Sequence, residues 1–303
     1  MYDCTIIGGG PAGMNAALVL GRAKRKVLLI DSGKPRNRVA HASHGYLTRD
    51  GIQPAEFRRI AMEEVLRYPS VEHQAEEAVT IKKVEGGFEV QLRSGKTLTS
   101  RKLILATGLK EVLPDIDGLS DFYGNSLFNC PFCDGWEHRD QPLILVSDHS
   151  HVLHITKLLY NWSKELYVCT NGKSILDEDQ KKQLEARGIA VIETSIERFT
   201  GQNGQIEQVH FADGSSISCQ GGLITSELQP TIHFHQELGY EVTESGGIVT
   251  NEMGKTTIDG VFAAGDSAYV MPSQLIFAAA SGSKAAAGVL AELVEEDWRS
   301  TEH

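Results

Sequence analysis

Tyr2-Asp3-Cys4-Thr5-Ile6-Ile7-Gly8-Gly9-Gly10-Pro11-Ala12-Gly13 opens the chain, and the fold turns on this stretch. The apolar run up to Ile7 predicts a short buried strand. It leads into a G-x-G-x-x-G turn, an Ala- and Leu-rich helix over 14–24, and a second strand over 26–30 that ends on Asp31. Gly8 permits the tight turn, Gly10 lets backbone approach a pyrophosphate, and Gly13 lets helix pack close to sheet. The helix N-terminus that follows Gly10-Pro11-Ala12-Gly13 offers amide donors and a positive dipole end to phosphates. Asp31 is placed to accept both ribose hydroxyls of an adenosine. The glycine pattern alone is a weak signal, and a merely structural turn competes with it. Strand, helix and acid in the right order make it a dinucleotide-binding unit.

Working outward, residues 34–50 lack periodicity and predict a loop that holds His41, His44 and Arg49. Lys34, Arg36 and Asn37 follow Asp31 closely and read either as contacts on the adenosine phosphate side or as a solvated turn. An amphipathic helix is predicted over 54–68, with Phe57, Ile60, Ala61 and Val65 on one face. Alternation over 71–100 predicts β-structure, followed by a buried strand over 102–106 that ends in Thr107-Gly108. Residues 110–118, with Pro114, read as a linker. The pattern then restarts: strands over 142–146, 165–169, 189–192 and 206–211, and helices over 151–162 and 177–187. A return link over 246–249 leads to a strand over 261–264 that enters Gly265-Asp266, then to a long Ala-rich helix over 274–293. This predicts an α/β fold of two Rossmann-like dinucleotide-binding domains, the second inserted into the first. The outer domain takes residues 1–112 and 247–303, the insert 117–244, with links near 113–116 and 245–246.

The insert carries Cys130-Pro131-Phe132-Cys133-Asp134-Gly135. One C-x-x-C is either half of a four-ligand zinc site or a dithiol–disulfide couple. No second C-x-x-C or C-x-x-H completes a zinc set, since Cys4, Cys169 and Cys219 stand alone. Redox chemistry is the stronger reading. A thiol pKa falls at a helix N-terminus, which Pro131 favours, and the neighbouring Asp134 can relay protons; a helix-terminal cap is its bland alternative.

A chain of 303 residues has the length for two domains and a sizeable core. Its net charge of −11 argues against nucleic acid or an anionic membrane as partner. No apolar run approaches the ~20 residues of a membrane span, and the N-terminus lacks the pattern of a signal peptide. Isolated cysteines fit a reducing compartment, so a cytoplasmic location is expected.

In this order, the fingerprint, the Ala106-Thr107-Gly108 strand end, the C-x-x-C-Asp and Ala-Ala-Gly265-Asp266 before the last helix resemble the low-molecular-weight thioredoxin reductase family. These are FAD-dependent disulfide oxidoreductases. The resemblance implies FAD in the outer domain, with Asp31 on the adenosine ribose, Ala106–Gly108 close to the cofactor and Asp266 on the ribitol chain. Ser273-Gln274-Leu275 stands where the family usually has Arg-Gln-Ala near the flavin pyrimidine edge. The loop of His44 would pass near the flavin. Cys133 would face the flavin, Cys130 would exchange with substrate, and Asp134 would handle the thiol protons. A homodimer is implied, as is a substrate that is a thioredoxin-like protein or a small thiol or disulfide.

The pattern breaks where the nicotinamide donor should dock. After the strand over 143–146 the family has a second glycine fingerprint; here stands Ser147-Asp148-His149-Ser150-His151. Side chains would fill the pyrophosphate space, and Asp148 would face it with like charge. The next strand leads not into an arginine-rich run but into Thr170-Asn171-Gly172-Lys173. Ordinary NADPH binding is therefore not expected. Three readings remain: a disulfide reductase fed by another donor such as reduced ferredoxin, an oxygen-dependent dithiol oxidase, and a flavin-bound redox sensor. Cys-Pro-Phe-Cys with Gly-Trp-Glu resembles the dithiol oxidases of small natural products more than typical reductases, although those commonly carry His in place of Asp134. His138 reads as solvent-facing, and the run over 292–297 as a solvated acidic helix end. His149, His151 and His154 do not share a helix face, so no metal is assigned.

Overall fold

β1 (Tyr2–Ile7) leads into α1 (Pro11–Arg22) and β2 (Val27–Ile30) in the computed structural model, which describes residues 1–231, 234–268 and 273–300. The helix begins at Pro11 rather than Met14, because a proline needs no N–H partner in a first turn. After α2 (Pro54–Leu66) come β3 (Val71–Gln74), β4 (Ala78–Val84), β5 (Gly87–Leu92), β6 (Thr97–Leu105) and β7 (Leu109–Val112). The middle of the chain forms α3 (Leu119–Phe122), β8 (Leu127–Phe128), α4 (Pro131–Asp134), β9 (Leu143–Val146), α5 (Val152–Leu159), β10 (Leu166–Cys169), α6 (Glu178–Glu185) and β11 (Ala190–Ile192). Then follow β12 (Ile196–Gln202), β13 (Gln205–Phe211), β14 (Ser216–Ser218), β15 (Gly221–Ile224), β16 (Glu227–Pro230), α7 (His235–Leu238), β17 (Val261–Ala263) and α8 (Leu275–Ser300).

Two sheets organise these elements. The first runs β3-β2-β1-β6-β5-β4, with β17 also on β6. Its central parallel strands are largely buried, as in all four residues of β2 and the last four of β1, because helices and loops cover both faces. β6 is one strand rather than two: Ser100 pairs antiparallel with Phe88, and Ile104 lies parallel to Ile6. One face packs on α1 and the small-residue stripe of α8, where Ala285, Ala286 and Val289 meet Ala16 and Leu20. By length and composition α8 could cross a membrane, but this stripe makes it a core helix. Truncating the fully buried Leu20 to Ala would cost ~2–5 kcal/mol.

The second sheet is parallel, in the order β11-β10-β9-β15-β8. Asp177 caps α6 in a reciprocal box with Gln180. β15, with two glycines in four residues, carries too little apolar signal to be predicted, yet it is central. Here Gly222 lies against Ile144, where a Cβ would come within 2.2 Å.

The chain passes between the sheets through an antiparallel ribbon of β7 and β16, in which Leu228 pairs with Glu111. The return thus comes at Glu227–Pro230, earlier than the 245–246 expected. Phe234, Leu238, Tyr240 and Ile248 then pack on the first sheet's other face with Val90 and Leu103, because that face has no helix stripe of its own. The acidic run also differs from expectation. Glu292 and Glu296 pair with the buried Lys102, and Asp297 with Arg25 and Arg101, so this end of α8 is fastened to β6 rather than simply solvated.

Candidate active site

Cys130 caps α4, and Pro131 holds its first position. The tight turn carries Cys133 back onto Cys130, and the two form a disulfide with Cα atoms 5.3 Å apart. Phe132 and Trp136 project from the same segment at 60% and 64% exposure, with Arg139 over the Trp136 ring. Phe132 meets Trp162 edge-on.

The disulfide opens on a cavity of about 760 Å³ that also borders the N-terminal glycine turn. Every residue named above for cofactor or dithiol lines it, from Gly8 through Asp31, Lys34, Asn37, His44 and Thr107 to Asp266 and Leu275, with the one exception of Gly13. Gly13 lies behind the turn, where a Cβ would sit 1.8 Å from the Gly8 carbonyl oxygen. Gly8 has φ +108°, and its missing Cβ leaves room for the Ala106 carbonyl. Gly10 is different: nothing stands within 4 Å of a Cβ placed there, so the backbone is bare toward the cavity.

Asp31 ends β2 as expected, and its carboxylate accepts from the Gly9 amide at 3.0 Å. Arg58 of α2 also pairs with Asp31 and donates to the Gly9 carbonyl at 2.9 Å. Sequence reasoning missed Arg58; the signal available was a cation one residue past the apolar face of α2. Arg36 lies elsewhere than expected. It donates to Asp266 at 2.8 Å and to the hydroxyl of Ser273, so a guanidinium stands beside Ser273 after all, supplied by another segment. The same Arg36 pairs with Glu111 at 2.7 Å. Glu111 in turn accepts from Tyr123 at 2.7 Å and from Asn129, the residue before Cys130.

Burial and the nearby Glu137 push the Asp134 carboxyl up to about 6, against a smaller opposing pull from His44. It is therefore not an exposed cap but an acid that can give or take a proton near neutrality. The other cysteines are buried and free. Burial raises all three thiols, Cys169 and Cys219 to about 12, which removes them from thiolate chemistry.

On the inserted side, His149, His151 and His154 line the cavity, with the first two rings stacked at 5.3 Å. Asp148 does not face it as expected. Its carboxylate is held by Lys173 of the neighbouring loop at 2.6 Å, with His149 Nε2 3.6 Å from its other oxygen. His138 is likewise not solvent-facing: it stacks on Phe128 at 5.1 Å and lies 3.2 Å from the Asn125 carbonyl.

A disulfide and a dinucleotide turn on one cavity have known counterparts. The family model for pyridine nucleotide-disulphide oxidoreductases matches residues 2–155 and 164–282. The chain belongs to that family. This disulphide oxidoreductase is similar to TrxB of Bacillus anthracis, with a TM-score of 0.95 and 41% identity over 98% of this chain and 100% of the other. It is also similar to HlmI, with a TM-score of 0.94 and 33% identity over 99% and 95% of the two chains. A relative described as thioredoxin reductase sirT, from Leptosphaeria maculans, is 32% identical over 95% of this chain and 93% of its own. The disulphide oxidoreductase is thus a flavin-dependent, thioredoxin reductase-like enzyme with a Cys130–Cys133 pair.

Proposed function

We propose that this enzyme exchanges electrons between a thiol or disulfide substrate and FAD through Cys130 and Cys133, and that NADPH is not its ordinary donor. The observation that carries this reading is the disulfide opening on the same cavity as the bare backbone of Gly10. That backbone and the N-terminus of α1 suit a pyrophosphate, Asp31 and Arg58 the adenosine end, and Asp266 with Arg36 and Ser273 the flavin end. Bound there, FAD would supply a second two-electron store beside the Cys130–Cys133 pair. The chain's own residues do the rest. Cys130 forms a mixed disulfide with substrate, Cys133 resolves it, and Asp134 holds or releases a proton beside them. We draw the outer, FAD-binding domain as the first sheet with α8, and the insert as the second sheet between the ribbon strands.

Against NADPH stand the paired rings of His149 and His151 at the start of α5, where phosphates would need open backbone. The one lysine after β10 is already neutralised by Asp148. A donor such as ferredoxin fits this reading, as does the reverse direction, in which a substrate dithiol is oxidised and dioxygen takes the electrons as peroxide. The exposed Phe132 favours the second, since it lines the cavity between the two cysteines and offers an apolar rim to a small dithiol.

The test is to mix the flavin-loaded protein anaerobically with NADPH, NADH, reduced ferredoxin and dithiothreitol in turn and follow the visible flavin band. Bleaching by dithiols, with peroxide formed on admitting air, supports the oxidase; bleaching by ferredoxin supports the reductase. Rapid bleaching by NADPH overturns the reading of the 147–151 loop, and no bleaching by any donor leaves a sensor.

A further inference from the structure

Opening or closing the Cys130–Cys133 bond moves two electrons and two protons. A disulfide, two electrons and two protons give two thiols, and the reverse step releases the same set. Asp134 carries one proton at a time. A second carrier would let the other proton move without waiting on this acid, the single one of α4.

We propose that His44 is that carrier, passing protons between the dithiol segment and solvent. This rests on the functional reading above. His44 sits on the loop between β2 and α2, in the first sheet's half of the molecule, yet it lines the cavity with Cys130, Cys133 and Asp134. Its Nε2 lies 3.6 Å from Glu137 Oε1 on the dithiol segment, and its Nδ1 lies 3.5 Å from Asp50 Oδ1 on its own loop. These spans are too long for direct hydrogen bonds and match a bridging water or a small ring rotation. The loop is not slack. Ser43 N donates to the Ile52 carbonyl at 2.7 Å, and Gly45 N donates to Asp50 at 2.8 Å, which fixes the imidazole between the two carboxylates.

Exposure grades outward along the route: His44 is 22% exposed, Glu137 41% and Asp50 71%. A proton taken at Asp134 therefore has a path through the His44 imidazole to carboxylates in water. The groups facing His44 are Asp50 from its own loop, and Glu137 and Asp134 from the segment of the disulfide. Asp134 senses both Glu137 and His44, so a change at either is felt at this acid.

The experiment uses the flavin-loaded, full-length protein and the His44→Gln variant, both reduced anaerobically by dithiothreitol between pH 5.5 and 9. His44→Gln is expected to slow bleaching at pH 7 by at least about tenfold, to change the shape of the pH profile, and to recover on adding imidazole. A second readout needs no turnover: in the reduced protein, the pH midpoint for alkylation of the dithiol by iodoacetamide should rise in the variant. An unchanged rate and profile overturns the proposal. So does a slower variant with an unchanged profile and no imidazole rescue, which marks a merely structural role. A wild-type protein that dithiothreitol cannot bleach overturns the functional reading, and this inference with it. A wild type that bleaches beside an unaffected variant overturns the relay alone.

Discussion

Glu111 holds Arg36 at 2.7 Å, and through this pair three segments of the chain are joined. Arg36 belongs to the loop after β2, Glu111 to the ribbon, and Asn129 and Tyr123, which donate to the same carboxylate, to the segment that leads into the disulfide. Both charges are largely buried, and the carboxylates around Arg36 raise its pKa against the cost of burial. Removing one partner of such a pair leaves the other uncompensated.

Glu111→Gln should therefore cost about 3 kcal/mol of stability and loosen the hold on Asp266 and Ser273. Urea unfolding measures the first effect, and equilibrium dialysis of FAD the second. An unchanged unfolding midpoint would show that water already screens the pair.

Asp134 makes a pH prediction. Its folded pKa, about 6, lies above the model-compound value of 3.8, with burial as the main cause. The stabilisation it gives by keeping its proton is complete below pH ~3.8 and is lost as pH rises through about 6, a difference of about 3 kcal/mol. Asp134→Asn should thus match wild type in stability near pH 4 and exceed it at pH 8, while dithiol-driven bleaching slows by ~10²-fold or more. Urea melts at the two pH values check the sign.

Gly10 separates cofactor binding from folding. A Cβ there meets no protein atom within 4 Å, and the residue has an ordinary φ of −76°. Gly10→Val should leave apoprotein stability within about 1 kcal/mol and weaken FAD binding by about 100-fold, near 3 kcal/mol. Loss of folding in this variant would refute the view of Gly10 as bare toward the ligand.

The two cysteines should differ in what they trap. Reduced wild type treated with 5,5′-dithiobis(2-nitrobenzoate) should release two equivalents of chromophore and keep no adduct, as Cys133 resolves the mixed disulfide on Cys130. Cys133→Ser should release one equivalent and retain the adduct, seen by mass spectrometry. Cys4, Cys169 and Cys219, buried and with raised thiol pKa values, should stay silent.

Local signals made much of this readable. The glycine turn, Pro131 after Cys130, and Asp134 each act on neighbours in the chain, so their spacing alone announced them. β15 was not announced, because its glycines pack through absence of side chain. Nor were Arg58 beside Asp31 and Arg36 beside Ser273, since a long cation can reach many acceptors and its choice depends on distant elements. Asp148 shows the same limit: its charge was legible, but not that Lys173 would take it.

The sequence by itself determined the two α/β units, the fingerprint and the redox dithiol, because strand and helix periods and turn residues are short-range properties. The tertiary structure alone decided where the return crossing falls, that Asp148 turns away from the cavity, and that His44 meets Glu137 next to the disulfide. Those outcomes depend on how two separately folded sheets are set against each other across one cavity. The energy of that arrangement lies in contacts between residues scores of positions apart, such as His44 with Glu137, which no local pattern encodes.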